Sequence, residues 1–110
     1  MEDMTTLFDK IEALLAEPGR DEPTLARIEH TLTDGYARAL ALEAERWRLE
    51  RRIGEVAAKL AEGDRERRTQ ELADLAERIS RTDGDLTVLR GRLTTLKRAA
   101  HEVRTAISPA

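Results

Sequence analysis

The sequence contains no cysteine, three prolines and only three aromatic residues, Phe8, Tyr36 and Trp47. The absence of cysteine excludes a disulfide framework and thiol chemistry, and it fits a reducing compartment. Aromatic side chains usually supply much of a globular core, and three are few for a chain of 110 residues. No apolar run approaches the roughly 20 residues of a membrane span. Met1-Glu2-Asp3 is acidic where a secretory signal would be basic. The expectation is a cytoplasmic protein without a membrane span. Lys and Arg number 19 against 22 Asp and Glu, a net charge of −3. That balance lacks the basic excess of a nucleic-acid binder, so nucleic acid is not an expected partner.

What the chain does have is charge and a heptad. Charged residues make up 37% of it, the composition of long solvated helices. Leu25, Ile28, Leu32, Gly35, Ala39, Leu42, Arg46, Leu49, Ile53, Val56 and Leu60 recur in alternating steps of three and four. Leu72, Leu75, Ile79, Thr82, Leu86, Leu89, Leu93, Leu96, Ala100, Val103 and Ile107 repeat the pattern. Such steps keep side chains on one helical stripe, the a/d seam of a coiled coil. Folding the chain at Gly63 brings Val56 to Leu72, Ile53 to Leu75, Leu49 to Ile79, and so on to Leu25 with Val103. The expected fold is all-α, a long antiparallel coiled-coil helical hairpin with a short N-terminal third helix packed at its open end.

Helix boundaries follow from local chemistry. Met4, Leu7, Phe8, Ile11, Leu14 and Leu15 share one face over residues 4–16, with Asp3 or Thr5 as cap. Pro18 and Gly19 end that helix. Asp21-Glu22-Pro23 opens a second helix expected over 24–62. Gly63-Asp64 forms the turn, and Asp64 caps a third helix over 65–107 that Ser108-Pro109 stops. The whole reads as one helical domain over residues 1–110. Thr33-Asp34-Gly35 and Thr82-Asp83-Gly84 resemble turns, but the heptad keeps its phase through both, which argues for unbroken helices.

Charges beside the seam support the same pairing. Arg38 should face Asp85, Glu45 should face Arg78, and Arg52 should face Glu71. On the other flank Glu29 should meet Arg104 and Glu43 should meet Arg90, while Glu50 against Asp83 is a mismatch. Arg46 opposite Thr82 makes one polar layer, in which a buried arginine would need Asp83 as partner. Its expected role is to lock the register.

A two-helix hairpin leaves seam residues partly wet. The first helix, folded back at Gly19, should bring Leu15 to Leu25 and Phe8 to Leu32. Beyond its reach Tyr36, Leu40 and Trp47, with Gly54, Ala57 and Ala61, line a second stripe. Trp is enriched among residues that carry binding energy. On the third helix Ser80, Gly84, Thr87, Gly91 and Thr94 form a small-residue stripe. The interface candidates are therefore Tyr36, Leu40, Trp47, Gly84 and Gly91, and the expected partners are a second copy, as a homodimer, and an unidentified protein.

Chemistry is scarce. His30 and His101 lack a second ligand at helical spacing, so they read as surface histidines. No phosphate loop, nucleophile elbow or Cys/His constellation is present. No catalytic, cofactor-binding or metal residue is assigned, and no small-molecule substrate is evident. Arginines cluster at 46, 48, 51 and 52 and at 65, 67 and 68, diluted by interleaved glutamates. The expected function is that of a non-enzymatic, self-associating coiled-coil interaction protein: an adaptor, scaffold or regulatory subunit.

The turn Ala61-Glu62-Gly63-Asp64-Arg65-Glu66 offers an alternative. In outline the hairpin is similar to prefoldin-like chaperones and to the coiled-coil domain of Gre-type transcription factors, which reach into RNA polymerase with acids at the tip. That resemblance of outline implies a tip, residues 61–66, that engages a larger machine, with Glu62, Asp64 and Arg65 as the candidate residues.

Overall fold

The computed structural model describes residues 3–17 and 19–107. They form three helices, α1 (Met4–Ala16), α2 (Glu22–Ala58) and α3 (Arg65–Ile107), with no strand among the described residues. The fold is an antiparallel helical hairpin of α2 and α3 with the short α1 at its open end. Pro18, Ser108 and Pro109, expected to end α1 and α3, lie outside the described residues.

Each helix begins on an aspartate. Asp3 accepts a hydrogen bond from the Thr6 N–H at 2.8 Å, Asp21 from Thr24 at 2.9 Å and Asp64 from Arg67 at 3.0 Å. In each case the carboxylate satisfies one of the N–H groups that the first turn leaves without a helical partner. The Thr6 backbone hydrogen bond holds the Asp3 carboxyl below the ordinary range. For Asp21 the Thr24 side chain leads, followed by the Thr24 backbone.

α2 starts two residues earlier than expected and stops four residues sooner, at Ala58. The N–H groups of Lys59, Leu60 and Glu62 bond to Val56, Ala57 and Lys59, three residues back. These tighter turns replace the α-helical ladder. The connection therefore spans residues 59–64 and not only 63–64. Gly63 has a φ of +68°, a left-handed conformation that only glycine adopts without strain.

The chain divides into two compact units, Met1–Ala39 with Val88–Ala110, and Leu40–Thr87. In the second, Leu49, Val56 and Leu75 are buried, with Ile53, Leu72 and Ile79 packed against them. These are the residues that folding at Gly63 opposes. Arg52 donates to Glu71 at 2.7 and 3.1 Å. The Glu71 hydrogen bonds, then its charge, push the Arg52 pKa up. Glu45 and Arg78, expected to pair, form no ion pair with each other among the described residues; Arg78 is exposed, where water competes for its guanidinium.

In the first unit Ile28, Leu32, Leu89, Leu93, Leu96, Ala100 and Val103 are buried. Arg104 meets Glu29 at 3.2 Å. α1 adds Leu7 and Ile11, both buried, and Arg92 lies 5.4 Å from the Phe8 ring centre. Leu15, expected at the core, is 37% exposed. The inward line of α1 runs in steps of three and four through half-buried Met4, buried Leu7 and Ile11, and half-buried Leu14, which leaves Leu15 at its margin.

Neither Asp-Gly pair breaks its helix. Gly35 is buried in the seam, and a Cβ there would collide with the side chain of Leu93. Nothing lies within 4 Å of a Cβ built on Gly84. The two glycines should therefore respond oppositely to alanine. Gly84→Ala should raise stability by about 1 kcal/mol through helix propensity. Gly35→Ala should lower it, because overpacking costs about 1–3 kcal/mol and exceeds the same gain. Urea midpoints of the two variants check this.

The caps predict a pH dependence. The folded pKa of Asp21 is depressed, so its stabilisation is present above the unfolded value of about 3.9 and is lost as pH falls through the lower folded value. Asp21→Ala should melt below the parent at neutral pH. Thermal melts in progressively stronger acid should show that gap narrowing.

Candidate interaction surfaces

The polar layer of the seam differs from expectation. Thr82 is buried, but the Arg46 side chain is 44% exposed. Its long stem lets the guanidinium leave the seam while the methylenes stay in it. There it donates from Nε to Glu50 at 3.1 Å and lies 3.1 Å from Asp83 through Nη1. Arg46 thus bridges the two carboxylates whose opposition looked like a mismatch. None of these three charges is buried, and the register contact stands at the surface.

The outer face of α2 in the second unit is apolar and uncovered. Leu40 is 66% exposed and Trp47 65%. They are seven residues apart, so both point from the same line of the helix. Between and beyond them Ala44, Arg51, Gly54 and Ala58 continue that line in steps of three and four, and all are exposed. Ala44 and Ala58 were not singled out from the sequence; the alternation of small with large residues at those steps was the signal. In the first unit Tyr36 is 45% exposed.

Gly84 and Gly91 are exposed, and nothing lies within 4 Å of a Cβ at either position. At the tip Glu62, Asp64 and Arg65 are exposed. The Asp64 carboxylate is engaged by the Arg67 N–H, so it serves the helix start. A cleft of about 230 Å³ beside it is lined by Arg52, Asp64, Arg67, Arg68 and Glu71.

A further surface was not foreseen. α1 and α2 leave an open cleft of about 560 Å³ with Ala13, Leu14 and Ala26 among its walls and Lys10, Arg27 and His30 around them. Arg27 also pairs with Glu17. Small residues on both facing helices create the space, and only their juxtaposition reveals it. His30 lies 3.5 Å from Asp34, with its side chain 77% exposed.

Among the described residues no group of three or more His, Cys, Asp or Glu could hold a metal ion. No helix there is long and apolar enough to cross a membrane. Comparison with protein-family models, curated proteins and solved structures finds no match for this chain.

The Arg46 bridge carries a prediction. Arg46→Gln keeps most of the stem but leaves Glu50 and Asp83 without their shared cation. Stability should fall by roughly 0.5–1 kcal/mol at low salt, and the loss should shrink at high salt as screening grows. Urea titrations at two ionic strengths measure both effects.

Proposed function

We propose that the protein is a non-enzymatic coiled-coil interaction module that associates with itself through the outer face of α2, and so serves as an adaptor, scaffold or regulatory subunit in the cytoplasm. The exposure of Leu40 and Trp47, two large apolar side chains on one line of the helix, carries this reading. Large exposed apolar patches mark interaction sites, and Trp is enriched among the residues that carry their binding energy. Covering the two side chains contributes a few kcal/mol at about 25 cal/mol per Å² of apolar area, before association entropy is subtracted.

A second reading takes the tip as the working end. It is supported by the exposed Glu62 and Arg65 and by the cleft that Arg52, Asp64, Arg67, Arg68 and Glu71 line beside the turn. Substitutions at Arg65 would disable such a protein and leave its self-association unchanged.

Sedimentation equilibrium tests self-association directly. The parent chain should be dimeric at high micromolar concentration. Trp47→Ala should shift it towards monomer and make its melting temperature less dependent on concentration. A parent chain that remains monomeric would overturn self-association.

A further inference from the structure

The exposed line on α2 has a composition that suits one particular occupant. Leu40, Ala44, Trp47, Arg51, Gly54 and Ala58 are all exposed, and nothing lies within 4 Å of a Cβ built on Gly54. The same line therefore supplies both projections, Leu40 and Trp47, and recesses, Ala44, Gly54 and Ala58. A patch that carries its own complement is what an isologous two-fold contact requires. Arg51 is the one charged residue in the line, and it makes no ion pair among the described residues.

Building on the reading that this face self-associates, we propose that it binds a second copy antiparallel, with a two-fold axis between Trp47 and Arg51. In that register Leu40 packs on Ala58 of the second copy, Ala44 meets its Gly54, and the Trp47 ring lies against its Arg51. Steps of three and four make the line a heptad seam, and two such seams pack at a crossing angle near 20°. The Ala44–Gly54 layers have no bulk, so the backbones approach there and the neighbouring Trp47 ring is pressed over the guanidinium. A cation on an indole face is favourable, the more so as water is excluded.

Other arrangements use the line less well. A parallel pair would stack Arg51 on Arg51 within an apolar seam and would set Gly54 against Gly54. An antiparallel pair shifted by one heptad would place Arg51 beside Leu40 in one direction and beside Gly54 in the other, and neither has a π face to receive it. Glu50 flanks the proposed axis, but Arg46 of its own chain already compensates it at 3.1 Å.

Because the chain has no cysteine, single cysteines report the register directly. Ala44→Cys and Gly54→Cys are exposed sites that leave the hairpin seam untouched. A mixture of the two full-length variants, oxidised at a concentration where the parent is dimeric, should give the mixed disulfide dimer, and Ala44→Cys alone should give almost none. Cross-linking of Ala44→Cys with itself would indicate a parallel pair and overturn the proposal. A dimer by sedimentation without the mixed cross-link would also overturn it while leaving self-association standing, and a monomeric parent would remove both. Arg51→Ala provides an independent readout. It should weaken dimerisation roughly tenfold if the guanidinium sits on Trp47. If Arg51 were merely an interruption in an apolar face, the same change would leave dimerisation equal or tighter, and the register would be rejected.

Discussion

The structure depends on one constraint: the apolar stripe of each long helix can leave water only against the other. A heptad stripe on an isolated helix is exposed along its whole length, and isolated helices are marginal in water. Pairing the stripes antiparallel removes Leu49, Val56 and Leu75 from solvent in one unit and Ile28, Leu89, Leu93 and Leu96 in the other. It also explains why two Asp-Gly pairs remain helical. At Gly35 the missing side chain is filled by Leu93, so the residue that weakens the helix locally admits a closer core contact. Gly84 has no such compensation and is carried by its neighbours in the seam.

The ends of the helices are governed separately from the seam. Aspartates three residues before an N–H they accept from begin all three helices, and a left-handed glycine reverses the chain between α2 and α3. Seam and caps thus divide the work: burial holds the helices together, and side-chain hydrogen bonds set where they start. The same division accounts for Arg46. Its position in the heptad points it at the core, while its charge takes it to the edge, where two carboxylates receive it. The outcome preserves register without burying a charge, which would be costly in an apolar seam.

What the fold leaves uncovered is distributed unevenly along α2. Two faces of α2 follow heptad steps, and only one of them is met by α3. The seam is occupied; the line through Leu40 and Trp47 is not. The α1–α2 cleft and the arginine-lined cleft at the tip each already have some of their charges paired within the chain, through Glu17–Arg27 and Arg52–Glu71.

The sequence by itself determined the helices, their pairing and most of the seam, because a period of three and four is a property of residue order and needs no knowledge of distant contacts. It also indicated the helix starts, which are local, with Asp64 as the cap of α3 and Asp3 as one of two candidates for α1, and it identified Leu40 and Trp47 as apolar residues with no place in the core. The tertiary structure alone decided the rest. Whether Leu15 or Leu14 faced inward depended on how α1 was set against its neighbours. The end of α2 at Ala58 depended on the geometry needed to reverse the chain. Arg46 escaped the core because an exit to Glu50 and Asp83 existed, and the cleft between α1 and α2, with Ala13 and Ala26 among its walls, exists only because the two helices come together. These outcomes depend on which atoms meet in space. A periodic pattern specifies which face is buried, but it does not specify the shape of what that face is buried against.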